Sequence, residues 1–233
     1  MVEMAEDIRQ TRLKATMKAA IQRRLVVLEQ AVLAFRPRRQ NEPSLRDIVF
    51  GIPEVKEVIV QPATTNVTRS SFDFLNTSLS AFIEQRKADA VTYLGSLVRD
   101  QIKLPNSVDP LSLAVGGIFT CTLCDSSWAW PDILGHTCDV RAGYPYSHRD
   151  YYAEVAIAYL PGTNWQPTNF SVNVDLLTKI INLYGLNPKK ATIEDMDKSP
   201  VRLTCVKHNS QHSVQVMTWR DMVSAAALPV TTD

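Results

Sequence analysis

The sequence predicts an α+β fold in which a helical N-terminal half packs with a small, zinc-stabilised α+β C-terminal domain. Two observations lead to this prediction. Apolar residues recur at helical spacing through the first hundred residues. After a linker that contains Pro105 and Pro110, short β-branched segments lead into pairs of metal-ligating residues. We therefore predict a helical region over residues 1–104 and a zinc-binding α+β domain over residues 112–233.

Composition limits the class of protein. The chain has 233 residues, of which 45% are hydrophobic and 21% charged, so it can bury a sizeable core without disulfides. It carries 25 Lys and Arg against 24 Asp and Glu, and this +1 balance argues against a globally basic nucleic-acid binder. No apolar run approaches the roughly 18 residues of a membrane span, and the N-terminus does not read as a secretory signal. We expect a soluble protein of the cytoplasm or nucleus, with no membrane partner.

The first element is predicted to be one long, basic helix over residues 1–36. Its apolar stripe consists of Met17, Ile21, Leu25, Leu28, Val32 and Phe35. Basic residues crowd the rest of its surface: Arg9, Arg12, Lys14, Lys18, Arg23 and Arg24. A solvated face explains this basic side better than a docking surface for a protein or nucleic acid, which remains the alternative.

Three further segments complete the helical region. Ser44 to Phe50 forms a short helix with Ser44 as N-cap and Asp47 three residues on. Glu54 to Val60 is a short helix or a strand. Thr68 to Gln101 is helical, and its apolar face matches the stripe of the first helix. We therefore expect the first helix to pack within the chain.

The C-terminal domain is predicted to alternate short strands and helices. A strand over Leu113–Thr122 leads into the first cysteine pair, and residues 139–169 form an ordered loop with short strands. The later elements are a helix over Val174–Tyr184 ended by Gly185, a turn of helix capped by Thr192 and Asp195, strands at Val201–Thr204 and Val214–Thr218, and a helix over Trp219–Ala227.

Cysteines and histidines supply the most informative pattern. Cys121 and Cys124 form a C-x-x-C that suits a zinc knuckle, and Cys205 and His208 form a second knuckle in the same strand-then-turn context. Together these four residues predict a closed Cys₃His site. His136 and Cys138 lie between the knuckles and form another half-site, so a local site of Cys121, Cys124, His136 and Cys138 is the fallback. Structural zinc is the expected metal because thiolates and neutral imidazole are its preferred ligands; small buried thiols that bind nothing are the alternative.

No catalytic residue is predicted. The chain has no Walker A, G-x-G-x-x-G or G-x-S-x-G motif. A catalytic zinc would need an open coordination position and a nearby general base, and no carboxylate is marked as that base.

Several short motifs occur in one order along most of the chain. They include a basic first helix, Ile52-Pro53-Glu54-Val55, the first C-x-x-C, Trp130-Pro131-Asp132-Ile133-Leu134-x-His136-x-Cys138, Tyr184-Gly185-Leu186-Asn187-Pro188, Leu203-x-Cys205 and Met217-Thr218-Trp219-Arg220. In this order the chain resembles the region downstream of the F-box in basidiomycete fungal F-box proteins of unknown function. His208 stands where that family often has cysteine, and Ser224 stands near a position that is often histidine. The F-box itself would lie upstream, so the sequence reads as a fragment or a truncated relative.

The resemblance implies a function without catalysis. It points to a zinc-stabilised protein-interaction module, the substrate-facing or regulatory part of an F-box-type adaptor, with unknown protein partners. The first alternative is a nucleic-acid-associated zinc protein that uses the basic helix. The second alternative is a metal-dependent hydrolase.

Overall fold

The structure is a computed structural model, and it describes residues 2–35, 41–138, 150–204 and 216–226. The predicted α+β fold with a helical N-terminal half is confirmed. The helices are α1 (Val2–Phe35), α2 (Leu45–Gly51), α3 (Pro53–Ile59), α4 (Leu75–Ile102), α5 (Tyr151–Tyr159), α6 (Val174–Leu183), α7 (Ile193–Lys198) and α8 (Trp219–Ala226). The strands are β1 (Ile118–Cys121), β2 (Ser127–Ala129), β3 (Phe170–Ser171), β4 (Leu203–Thr204) and β5 (Val216–Met217).

Both sheets are small and antiparallel. The first has the order β2-β1-β3, with Phe119 opposite Trp128 and Cys121 opposite Phe170. The second pairs β4 with β5. None of the helices in the described ranges combines the length and the apolarity that crossing a bilayer requires.

Local signals in the sequence place several helix ends correctly. Ser44 and Asp47 form a reciprocal capping box at the start of α2, and Thr192 and Asp195 form another at the start of α7. Each box satisfies backbone N–H groups that have no partner inside the helix. Gly185 follows α6 with φ +72°, a conformation that favours glycine. These three predictions are confirmed.

One predicted loop is wrong. Residues 151–159 fall within the segment 139–169 predicted as a loop with short strands, but they form helix α5. Asp150 caps this helix, since its carboxylate accepts hydrogen bonds from the N–H groups of Tyr152 and Ala153 at 3.0 and 3.3 Å. Packing against α1 overrides the strand preference of the aromatic and β-branched residues in α5. Residues 139–149 of the predicted loop lie outside the described residues.

The described residues form two compact units. The first comprises residues up to Arg86 together with the span Thr137–Trp165, and the second comprises Lys87–His136 and the residues from Gln166 onward. The two units are defined by contacts between residues and not by independent folding. The division into domains over residues 1–104 and 112–233 therefore stays a prediction.

Helix α1 contributes its apolar stripe to the core of the first unit, as predicted. Ile21, Leu25 and Leu28 are buried in one cluster with Phe72 and Leu75. The helix that covers α1 most extensively is α5, which the sequence analysis did not anticipate. The packing of α1 within the chain is therefore confirmed. Its neighbours include α5 as well as the predicted segment after residue 68.

The two ends of α1 differ in their surroundings. Residues 4–16 are exposed on every side of the helix, and Met4, Ile8 and Leu13 expose 65%, 49% and 54% of their surface. Burial begins near Ala20. The prediction that Arg24 lies on the exposed basic side is wrong, because Arg24 is only 4% exposed.

A buried ion pair anchors α2 in the first unit. Arg86 Nη1 lies 3.0 Å from Asp47 Oδ2, and the backbone N–H of Trp165 donates to Asp47 Oδ1 at 2.7 Å. The Arg86 guanidinium also lies 4.4 Å from the centre of the Trp165 ring. Burial lowers the pKa of Arg86, and the charge of Asp47 opposes that effect. Removing one partner would leave a buried charge uncompensated, which is far costlier than an exposed ion pair.

Candidate metal centre

The first knuckle lies in the hairpin that joins β1 to β2. Cys121 is the last residue of β1, and its N–H donates to the carbonyl of Ser126 at 2.9 Å. Asp125 closes the turn with φ 56°, a left-handed conformation that Asp tolerates better than most residues. The turn therefore brings Cys124 back beside Cys121 as the predicted knuckle requires.

Ser126 and Trp128 orient the second cysteine. The Trp128 indole N–H donates to Ser126 Oγ at 2.9 Å, and Ser126 Oγ lies 2.9 Å from Cys124 Sγ. Because an indole N–H can only donate, Ser126 accepts that bond and retains its own hydroxyl hydrogen for the sulfur. Such outer partners fix the direction of a metal-ligating side chain.

His136 follows a short 3₁₀ helix at Asp132–Gly135, and two aromatic rings hold its imidazole. The Trp128 ring centre lies 4.9 Å away, and the Phe170 ring meets the imidazole edge-on at 5.7 Å. Nε2 lies 3.5 Å from Cys124 Sγ. Nδ1 is buried without a hydrogen-bond partner within the described ranges. The ring thus presents Nε2 to the thiols.

Cys138 is two residues beyond His136, so the covalent chain keeps the two donors near each other. Cys138 is 3% exposed, and its carbonyl accepts the N–H of Thr163 at 2.9 Å. Gly162 permits this approach, because a Cβ at that position would lie 2.9 Å from the Cys138 carbonyl oxygen. Its φ of +88° also suits glycine alone.

Four donor atoms converge on one point. The ligand atoms of Cys121, Cys124, His136 and Cys138 all lie within 4.8 Å of one another, and this group can hold a metal ion. In a tetrahedral site with Zn–S bonds near 2.3 Å and Zn–N near 2.0 Å, neighbouring donors are about 3.5 to 3.8 Å apart. The separation of Cys124 Sγ and His136 Nε2 already matches this value. Three sulfurs and one imidazole nitrogen also form a donor set typical of structural zinc.

Burial shapes the protonation of these donors. Burial raises the pKa of the Cys121 thiol to about 12, and it lowers the pKa of His136. The imidazole is therefore held in the neutral form that a metal needs. A divalent cation supplies the positive charge that makes a buried thiolate favourable.

The structure brings together four of the six predicted ligands. Cys121, Cys124, His136 and Cys138 form the cluster that the sequence analysis gave as its fallback. Cys205 and His208 lie outside the described residues, so their pairing with the first knuckle stays a prediction. None of the three described cysteines is joined in a disulfide.

The residues that support the cluster were not predicted from the sequence. Ser126 could have been found, since a hydroxyl two residues after a ligating cysteine can reach its sulfur. Phe170 carried no such signal, because its contact with His136 depends on the pairing of β1 with β3.

Comparison with known proteins adds no assignment, because no protein-family model, curated protein or solved structure matches this chain.

Proposed function

We propose that this chain is a non-enzymatic protein-interaction module whose fold is stabilised by zinc at Cys121, Cys124, His136 and Cys138. The observation that supports this proposal is the closed set of four buried or half-buried donors. Four protein ligands complete a tetrahedral zinc site and leave no position for a substrate or a water. A site of this kind stabilises the fold and does not catalyse a reaction.

The exposed part of α1 supports the interaction role. Residues 4–16 form more than three turns of helix without burying any side chain in the described part of the chain. Met4, Ile8 and Leu13 expose about half or more of their surface on this segment, and a partner that packs on it would bury them. The resemblance to fungal F-box proteins implies a protein partner, because it assigns the chain to the substrate-facing or regulatory part of such an adaptor.

Binding to nucleic acid is the second candidate, and a specific observation favours it. Arg12 and Lys14 are exposed on this segment and are available to phosphates, whereas Arg9 lies 3.8 Å from the Glu6 carboxylate. However, Lys18 pairs with Glu154, and Arg24 is used inside the fold. The basic side of α1 is therefore smaller than its sequence implies.

The interaction role can be tested with surface variants of the full chain. Ile8→Glu with Leu13→Glu removes exposed apolar side chains from α1, and Val91→Glu is the matched control at an exposed valine of α4. Binding is measured with purified proteins that have been treated with nuclease. We expect one partner protein to bind the wild type and Val91→Glu but not the double variant.

Two results would contradict the proposal. Equal binding of every variant would show that the exposed segment is not the interaction surface. Loss of binding after nuclease treatment, together with a steep fall in affinity with salt, would favour the nucleic-acid candidate instead.

A further inference from the structure

A cavity of about 350 Å³, with a mixed polar and apolar lining, lies in the first unit between α1 and the loop that follows α3. Helix α1 contributes Arg23 and Arg24, and the loop contributes residues 63–67. The volume falls within the range of small-molecule sites. Among the described residues, no acidic side chain lines the cavity. It is separate from the Cys/His cluster and plays no part in the function proposed above.

Arg24 forms the floor of this cavity and fixes the loop. Its Nη1 donates to the carbonyls of Ile59 and Gln61 at 2.9 and 2.7 Å, and its Nη2 donates to those of Pro62 and Thr65 at 2.7 and 2.9 Å. These four bonds hold the guanidinium rigidly. They use all four Nη hydrogens, so Arg24 contributes its charge to the cavity but no further Nη hydrogen bond to a ligand.

Two positive charges meet at the cavity, and no carboxylate from the described ranges accompanies them. Neither Arg23 nor Arg24 forms an ion pair in the described part of the chain. Burial and the neighbouring charge of Arg23 lower the pKa of Arg24. Because the four carbonyls satisfy Arg24, the charge that remains open to a ligand is that of the exposed Arg23.

Hydrogen-bond donors line the opposite wall. The hydroxyls of Thr64 and Thr65 and the side-chain amide of Asn66 make no hydrogen bond within the described residues. Arg23 is exposed at the rim, and its guanidinium can turn toward the cavity. Thr64, Thr65 and Asn66 are exposed, so water satisfies them in the free protein, and a ligand with several acceptor oxygens would replace that water.

We propose that this cavity binds a phosphate group, as inorganic phosphate or as a small phosphate monoester. Arg23 contacts the phosphate oxygens, Thr64 and Asn66 donate hydrogen bonds, and Arg24 supplies a fixed charge behind them. A phosphate fits better than a carboxylate because it carries up to two negative charges and more acceptor oxygens. Arginine is also the side chain best suited to such oxyanions.

Calorimetric titration of the full chain tests this proposal, with inorganic phosphate and O-phosphoserine as probes at constant ionic strength. Arg23→Gln removes the contact without removing the floor of the cavity, and Arg12→Gln is the matched control at an exposed arginine of the same helix. We expect saturable binding by the wild type. Arg23→Gln should weaken binding at least tenfold, while Arg12→Gln should change it less than twofold.

The comparison of probes identifies the source of the group. Tighter binding of O-phosphoserine would indicate a monoester ligand, and tighter binding of inorganic phosphate would indicate the free anion. A titration that does not saturate, or an equal loss in Arg12→Gln and Arg23→Gln, would overturn the proposal, because the effect would then be general charge screening.

Discussion

Arg23 and Arg24 are neighbours in sequence but have opposite roles in the fold. Arg24 is three residues after Ile21 and four before Leu28, so helical spacing places it on the buried stripe of α1. Its assignment to the basic surface did not take this position on the helix into account. A charged residue at a buried position of a helix indicates hydrogen-bond partners inside the fold, because a buried charge must be hydrogen-bonded. The four loop carbonyls meet this requirement.

We predict that Arg24→Met lowers the free energy of unfolding by about 3 kcal/mol, since it removes hydrogen bonds from a charged donor to four carbonyls. Urea denaturation would measure the change. Arg23→Gln is the control and should change stability by less than about 0.5 kcal/mol, as expected for an exposed site. Equal stability of the wild type and Arg24→Met would show that the carbonyls are satisfied without the guanidinium.

Among the secondary-structure elements, capping residues predicted where helices begin and end. Sequence pattern was less successful at predicting whether a segment is a helix or a strand. Ser44, Thr192 and Gly185 each act through bonds within a few residues, so the sequence contains their whole mechanism. Helix α5 was missed because its aromatic residues favour strands in isolation. Its helical state depends on packing against α1, which is more than a hundred residues away in the chain.

We predict different effects of two truncations of α1. Removal of residues 1–16 should leave the melting temperature within a few degrees of wild type, because residues 4–16 bury nothing in the described part of the chain. Removal of residues 1–36 should cause aggregation or early melting, since it exposes the core around Phe72 and Leu75. Scanning calorimetry and size-exclusion chromatography would measure both. A folded, monomeric product of the longer truncation would contradict the packing of α1.

The β1–β2 hairpin should depend on metal. A structural site contributes directly to folding, on the order of 10 kcal/mol in small zinc domains. We predict that chelation, or Cys124→Ser, accelerates hydrogen exchange in residues 112–138 before it affects residues 41–86.

Leu123→Ser is the matched control for this experiment, because it changes an exposed side chain in the same turn and keeps both cysteines. It should exchange like the wild type. Unchanged exchange in the hairpin after verified metal removal would show that the cluster does not stabilise it.

For the whole molecule, the sequence predicted the fold class and the cysteines and histidines that could bind metal, and it left two sets of four donors open. His136 and Cys138 are close to the first knuckle in sequence, so a local site was within reach of spacing arguments. A site that includes Cys205 and His208 competes with this local site, because those two residues resemble a second knuckle. Spacing measures distance along the chain, and the convergence of donors depends on the hairpin and on the 3₁₀ helix before His136. These features require tertiary structure.

Zinc content across cysteine variants tests the central claim most directly. Elemental analysis of the full chain, purified without chelators, should give one zinc at the cluster in the wild type. Cys138→Ser should lose this zinc, and Cys205→Ser should retain it, because the four clustered donors are sufficient. A wild type without zinc would contradict the account. Retention in Cys138→Ser with loss in Cys205→Ser would instead assign the metal to Cys121, Cys124, Cys205 and His208.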